Sequence, residues 1–188
     1  MTDQPLIIRS LLILGGARSG KSHYAQKLAE AAGLTSVLIA TAEASDDEMA
    51  ARIARHAADR DSRWQLIEQP IALAPTLRRE ARLDRILVVD CVTLWLANLF
   101  QTEAEIEPVT AELVETISVL KGPVIFVSNE VGGGIVPDNA LARAFREAQG
   151  FLNQALAQAC DSVVLVTAAI PLRLKPATYP NFKFWSEG

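Results

Sequence analysis

The chain has 188 residues, half of them hydrophobic and 21% charged, with a net charge of −4. That length and apolar fraction suit one folded domain with a sizeable core and exclude a disordered chain. Mild acidity without a long basic run argues against gripping nucleic acid through its phosphates, which needs concentrated positive charge.

The N-terminus, MTDQPLIIRS, lacks a basic head followed by an apolar core, so no export signal is expected. SLLIL (10–14) is the first of several short runs that are apolar throughout, the pattern of a parallel strand buried on both faces. GGARSGKS (15–22) follows, and a helical pattern occupies 21–32. Gly15-x-x-x-x-Gly20-Lys21-Ser22 between a strand and a helix is the phosphate-binding loop pattern. Glycines let successive backbone N–H groups curl around a phosphate, and the helix start adds the positive end of its dipole. Lys21 is placed to reach the β- and γ-phosphates, and the Ser22 hydroxyl to ligate Mg²⁺. His23, in the first helical turn, reads as a partly exposed helix residue.

SVLIA (36–40) predicts the next strand, and SDDEMAARIARHAADR (45–60) the next helix. Ser45 and Glu48 have capping-box spacing, which starts that helix at Asp46. Met49, Ile53, His56 and Arg60 then share one stripe. On the pattern alone His56 has two readings, a half-buried packing residue or a nucleophile that splits a group transfer into two steps. Arg52, Arg55, Arg60 and Arg63 are either phosphate partners or a solvated face paired with nearby acids.

RILVVD (85–90) predicts a third strand, ending on Asp90. A phosphate loop needs an acidic anchor for Mg²⁺ on a neighbouring strand, and Asp90 fits. A cap for a helix beginning near Thr93 is the lesser alternative. The longest apolar stretch, 86–100, carries Asp90 and is shorter than the ~20 residues of a bilayer span. A helix over 107–121 has Pro108 near its start and Gly122-Pro123 at its end. PVIFVSN (123–129) predicts a fourth strand, followed by Glu130 and the glycines 132–134. Ligands bind at the carboxyl ends of strands in open parallel sheets, so Ser128, Asn129 and Glu130 are expected at that crevice. Glu130 reads as a general base, a metal-site carboxylate or a solvated loop acid.

A helix over 139–160 and a strand over SVVLVTA (162–168) complete the alternation. PATYPNFKFWSEG (176–188) is a tail without periodicity, a surface strap or a partner contact. Repeated β-α alternation predicts an α/β fold, an open and mostly parallel sheet with helices on both faces. Residues 1–188 form one nucleotide-binding domain in this reading. Cys91 and Cys160, each in or beside an apolar run, read as two buried thiols of a reduced, cytoplasmic protein, ahead of the alternative that they form a disulfide.

GGARSGKS, IATAEASDDEMAARIARH and VSNEVGGGIVPDNALARAFREAQGFLNQALA together resemble the bifunctional adenosylcobinamide kinase / adenosylcobinamide-phosphate guanylyltransferase family of cobalamin biosynthesis. The likeness runs over about residues 10–175. It implies a RecA-like P-loop fold, a homotrimer, ATP and GTP as substrates with Mg²⁺, and a corrinoid acceptor. It also implies two reactions. A nucleoside triphosphate phosphorylates adenosylcobinamide; GTP then places GMP on a histidine, from which it passes to adenosylcobinamide phosphate to give adenosylcobinamide-GDP. The family's guanylylated histidine falls on His56. Its nucleotide-contacting positions fall on Gly15, Gly16, Ala17, Arg18, Ser19, Gly20, Lys21 and Ser22, on Thr41, Ala42 and Glu43, on Ala57, Ala58, Asp59 and Arg60, and on Glu68 and Asp90, with Ser22 and Asp90 at the metal.

Two features depart from the family's pattern. Arg55-His56 stands where some members carry paired histidines, and Asp90 where the acid is often glutamate. Two other readings compete. A plain P-loop kinase would use Lys21, Ser22 and Asp90 and leave His56 to pack. A GTPase-like switch would lack a chemical acceptor, but the chain has no Asn-Lys-x-Asp run for guanine.

Overall fold

The computed structural model describes residues 7–42, 64–102 and 105–176. The helix expected from Asp46, His56 with it, and the tail beyond 176 lie outside the described residues. The elements in chain order are β1 (Ser10–Gly15), α1 (Lys21–Ala31), β2 (Thr35–Ala40), β3 (Gln65–Glu68), α2 (Leu73–Glu80), β4 (Arg85–Asp90), α3 (Val92–Phe100), α4 (Ile106–Val119), β5 (Val124–Asn129), α5 (Ala140–Ala159), β6 (Ser162–Thr167) and β7 (Ile170–Lys175).

The strands form one sheet in the order β3-β2-β4-β5-β1-β6-β7. Every pairing is parallel except β6 with β7. The five apolar runs became β1, β2, β4, β5 and β6, because a strand covered on both faces has no solvent face to make polar. Alternate residues feed two cores. Leu12, Val37, Val89 and Phe126 join one with residues of α2 to α5. Leu11, Ile13, Val88 and Val127 join the other with Ala25 and Ala29 of α1. Each fully buried Leu, Val or Phe contributes roughly 1.5–3 kcal/mol.

The amino ends of the strands are latched. Asp161 Oδ2 accepts from the Arg9 N–H at 2.7 Å and the Ser10 N–H at 3.1 Å, and Ser10 Oγ accepts from the Asp161 N–H at 2.9 Å. The Arg9 N–H, foremost, holds the Asp161 carboxyl below the usual carboxylate range. Gly122 is buried against the Arg82 backbone, where a Cβ would come closer than 3.0 Å to several atoms. At the end of α5 the Lys175 ammonium donates to the carbonyls of Ala157, Gln158 and Cys160 at 3.0, 2.9 and 2.6 Å, a cation on the carbonyls a helix leaves open.

Both thiols are free and buried. Burial first, and then the neighbouring Asp90 charge, pushes Cys91 up to about 11; burial pushes Cys160 up to about 12. Neither is a reactive thiolate at neutral pH. No helix among the described residues is long and apolar enough to cross a membrane.

Candidate functional site

β1 ends at Gly15 beneath the phosphate loop, and the loop's shape follows from what crowds it. A Cβ on Gly15 would stand 2.5 Å from the Val166 carbonyl oxygen and would meet the Ser19 hydroxyl. Gly20 has φ +94° and Arg18 φ +55°, left-handed conformations that cost little only at glycine. On the β6 side, the turn Ala168–Ala169 (φ +51° and +63°) packs on the loop, its Ala169 N–H donating to the Ser19 carbonyl at 2.8 Å. Gly16, Ala17 and Arg18 form the exposed rim.

Gly20 caps α1 without a side-chain hydrogen bond. The first N–H groups of a helix have no intrahelical acceptor, so here they are donors for an anion. Lys21 is buried, 7% exposed, and its Nζ donates to the Gly16 carbonyl at 3.1 Å. The ammonium is therefore folded over the loop it serves. Ser22 Oγ donates to Asp90 Oδ1 at 3.3 Å. Asp90 is not the cap of α3: Cys91 holds that position, with no side-chain hydrogen bond. The structure thus sets Asp90 against Ser22 rather than at the cap of α3.

β5 stands between β1 and β4, so the phosphate-loop strand and the Asp90 strand are two spacings apart, roughly 10 Å. Ser22, reaching back from α1, closes that gap. The register Gly15↔Asn129 sets Asn129 beside the loop, and the Glu130 N–H donates to the Gly15 carbonyl at 3.1 Å. Ser128, expected at the crevice, instead faces inward and is fully buried, as alternation along a strand requires of the neighbour of Asn129. There it donates to Asn153 Oδ1 at 2.6 Å and accepts from Gln149 Nε2 at 3.0 Å. Asn153 Nδ2 donates to the Asn129 carbonyl at 3.0 Å, and the Asn129 N–H to Thr93 Oγ1 at 2.8 Å. This buried network fixes Asn129 by both backbone groups. The sequence reading missed it; the i, i+4 pair Gln149 and Asn153 in an otherwise apolar helix stripe is the trace it leaves. The Glu130 carboxylate is exposed and accepts from the Gly132 N–H at 2.6 Å.

The other positions separate. Thr41 is fully buried, its hydroxyl donating to the Cys91 carbonyl at 2.7 Å and accepting from the Cys91 N–H at 3.0 Å. It ties the end of β2 to the turn that follows Asp90. Ala42 lies just beyond it, half-buried. Glu68 is exposed at the end of edge strand β3, with Ala40 between it and Asp90 in register. Four strand spacings, roughly 19 Å, part it from β1, too far to touch a phosphate held by the loop. Glu43, His56, Ala57, Ala58, Asp59 and Arg60 lie outside the described residues.

No group of three or more His, Cys, Asp or Glu among the described residues is arranged to hold a metal. The Ser22–Asp90 oxygen pair nevertheless fits Mg²⁺, which keeps several waters and takes one or two protein oxygens together with substrate phosphates.

The family model described as "Cobinamide kinase / cobinamide phosphate guanyltransferase" matches residues 11–174. The chain is 47% identical over 166 residues to the "Bifunctional adenosylcobalamin biosynthesis protein CobP" of Pseudomonas aeruginosa, covering 87% of this chain and 96% of that protein. It is 34% identical over 180 residues to the corresponding CobU of Escherichia coli, covering 88% and 99%. Among solved structures it is similar to the RadB recombinase, with a TM-score of 0.50, 14% identity, and coverage of 83% of this chain and 73% of that one. That likeness concerns the fold alone. With β5 inserted between the loop strand and the Asp90 strand, it gives a RecA-like P-loop architecture.

Proposed function

The chain belongs to the cobinamide kinase / cobinamide phosphate guanyltransferase family, and on that premise we propose that both reactions run from one phosphate loop. The enzyme phosphorylates cobinamide and transfers a guanylyl group to cobinamide phosphate. The observation that carries the shared site is the Ser22–Asp90 contact, with Lys21 folded over the same loop.

In the kinase reaction the loop N–H groups and Lys21 hold the triphosphate of ATP or GTP. The acceptor hydroxyl of adenosylcobinamide attacks the γ-phosphorus, the bond to the β–γ bridging oxygen breaks, and the hydroxyl proton leaves to solvent. Lys21 neutralises charge that builds on the departing β-phosphate. Ser22 and Asp90 would hold Mg²⁺, which when bound withdraws charge from the phosphate oxygens.

In the transfer reaction a ring nitrogen of His56 attacks the α-phosphorus of GTP, a P–N bond forms and pyrophosphate departs. An oxygen of adenosylcobinamide phosphate then attacks the same phosphorus and the P–N bond breaks, giving adenosylcobinamide-GDP and free His56. The resemblance around His56 supports this route, as it supports nucleotide contacts at Thr41 to Glu43, Ala57 to Arg60 and Glu68. The separation of Glu68 from the loop suits the base end of the nucleotide rather than its phosphates. Assembly as a homotrimer in the cytoplasm completes the reading; sedimentation checks the trimer.

The test is covalent labelling. Protein, Mg²⁺ and GTP labelled at either the α- or the γ-phosphate are mixed, denatured and counted. Acid-labile, alkali-stable label from the α-position only, lost in His56→Asn, is the expected result. Absence of label in protein that still binds GTP and phosphorylates cobinamide would reduce the enzyme to a kinase.

A further inference from the structure

The loop 131–138, between β5 and α5, is not explained by the nucleotide. It has no helix or strand of its own, yet it is stapled at several points. Arg143 Nη1 donates to the Pro137 carbonyl at 2.9 Å and the Asp138 carbonyl at 2.7 Å, Arg146 Nη2 donates to the Gly132 carbonyl, and the Glu130 carboxylate takes the Gly132 N–H. What this held loop presents to solvent is apolar: Ile135 is 97% exposed and Val136 65%.

Gly133 and Gly134 sharpen the point. Neither has a positive φ, and a Cβ on either would meet no atom of the chain within 4 Å. The fold therefore demands glycine at neither position, through conformation or through space. Gly16 in the phosphate loop has the same two properties, and there the reason for glycine is an anion that must approach the backbone. Gly133 and Gly134, on an exposed loop, likewise leave their backbone open to a ligand's approach. The loop begins just after the point where the Glu130 N–H meets the Gly15 carbonyl, which ties its first end to the base of the phosphate loop.

We propose that Gly133, Gly134, Ile135 and Val136 form the shelf on which the corrin macrocycle of the acceptor lies, a proposal that rests on the functional reading above. The chemistry matches. A corrin ring is broad and methyl-rich with primary-amide arms around its rim. Ile135 and Val136 offer apolar contact to the ring, and the bare backbone at Gly133 and Gly134 offers peptide N–H and C=O groups to the amides. A nucleotide alone gives no use for two exposed branched aliphatics, and a phosphate none at all.

Self-guanylylation by GTP needs no acceptor, so it separates the shelf from the nucleotide site. Two variants are compared with wild type: Gly134→Val, which fills the approach to the backbone, and Ile135→Asp with Val136→Asp, which spoils the apolar contact. Expected are KM values for adenosylcobinamide and its phosphate raised about tenfold or more, with an unchanged rate of GMP labelling, melting midpoint and sedimentation. Unchanged acceptor KM in both variants would overturn the proposal. So would a parallel fall in labelling and acceptor use, or a change in assembly mass, which would give the surface to a second copy of the chain. Wild-type protein that shows neither labelling nor cobinamide turnover would overturn the functional reading, and the shelf with it.

Discussion

The two ends of the same sheet are built on opposite plans. At the amino ends polar groups find partners: Asp161 takes two N–H groups, Ser10 takes a third, and Gly122 lets the Arg82 backbone close in. At the carboxyl ends, buried polar atoms are left over. The four side-chain atoms that are buried without a hydrogen-bond partner among the described residues are Ser19 Oγ, Asn129 Oδ1, Arg146 Nη1 and Gln149 Oε1. Ser19 lies in the loop and Asn129 beside it, while Arg146 and Gln149 of α5 bond to Gly132 and Ser128 on either side of Asn129. An unpaired buried polar atom costs roughly 1–3 kcal/mol. Gathered at one end, such atoms mark where the molecule spends stability on being ready for substrate, while the other end holds it together.

The contrast yields its largest test at Lys21. Lys21→Ala should lower both reactions by about 10²–10³-fold while the melting midpoint shifts by less than about 3 °C; steady-state kinetics and calorimetry on one preparation measure both. Retention of either reaction at the wild-type rate would separate the two sites. At the other end Gly122→Ala should do the reverse. Forcing a Cβ into the Arg82 backbone should remove about 1–3 kcal/mol of stability by denaturant titration, with kcat per folded molecule unchanged.

Asn153→Ala probes the border between the plans, since Asn153 is buried yet anchors the Asn129 carbonyl. Stability should fall by about 1–3 kcal/mol and kcat should fall with it, so that loss of stability alone would move the functional border outward to Asn129. The smallest effect is at Asp161. Its folded-state carboxyl pKa is depressed, so its contribution exists above the unfolded value and fades as pH falls through the folded one. The gap in melting midpoint between wild type and Asp161→Asn, present at neutral pH, should therefore narrow steadily as pH falls below the free carboxylate value. A gap independent of pH would mean that shape rather than charge does the latching.

How much of this was legible in the sequence depended on distance along the chain. The five inner strands announced themselves because burial on both faces removes polar residues. The edge strands did not: QLIE is almost wholly exposed, and IPLRLK is exposed on both faces and begins beside a proline. α3, VTLWLANLF, continued the apolar run of β4 with too little polar contrast to show a helical period. Lys21, Ser22 and the glycines were legible because the phosphate loop is a local motif. Asp90 could be singled out, but its contact with Ser22, 68 residues away, and the cap at Cys91 show only after packing. The network of Thr93, Ser128, Gln149 and Asn153 was invisible, since its members come from three elements that meet only after packing.

The position of β1 also sets an order of assembly. It is the first of the described strands, yet both its neighbours in the sheet, β5 and β6, come from Val124 onward. During synthesis the ribosome releases the phosphate loop and its strand long before either partner exists, while β2 and β4 can already pair with each other. The nucleotide site is thus written first and assembled last. Until then an apolar strand stands with both edges bare, the situation in which a nascent chain depends most on chaperones.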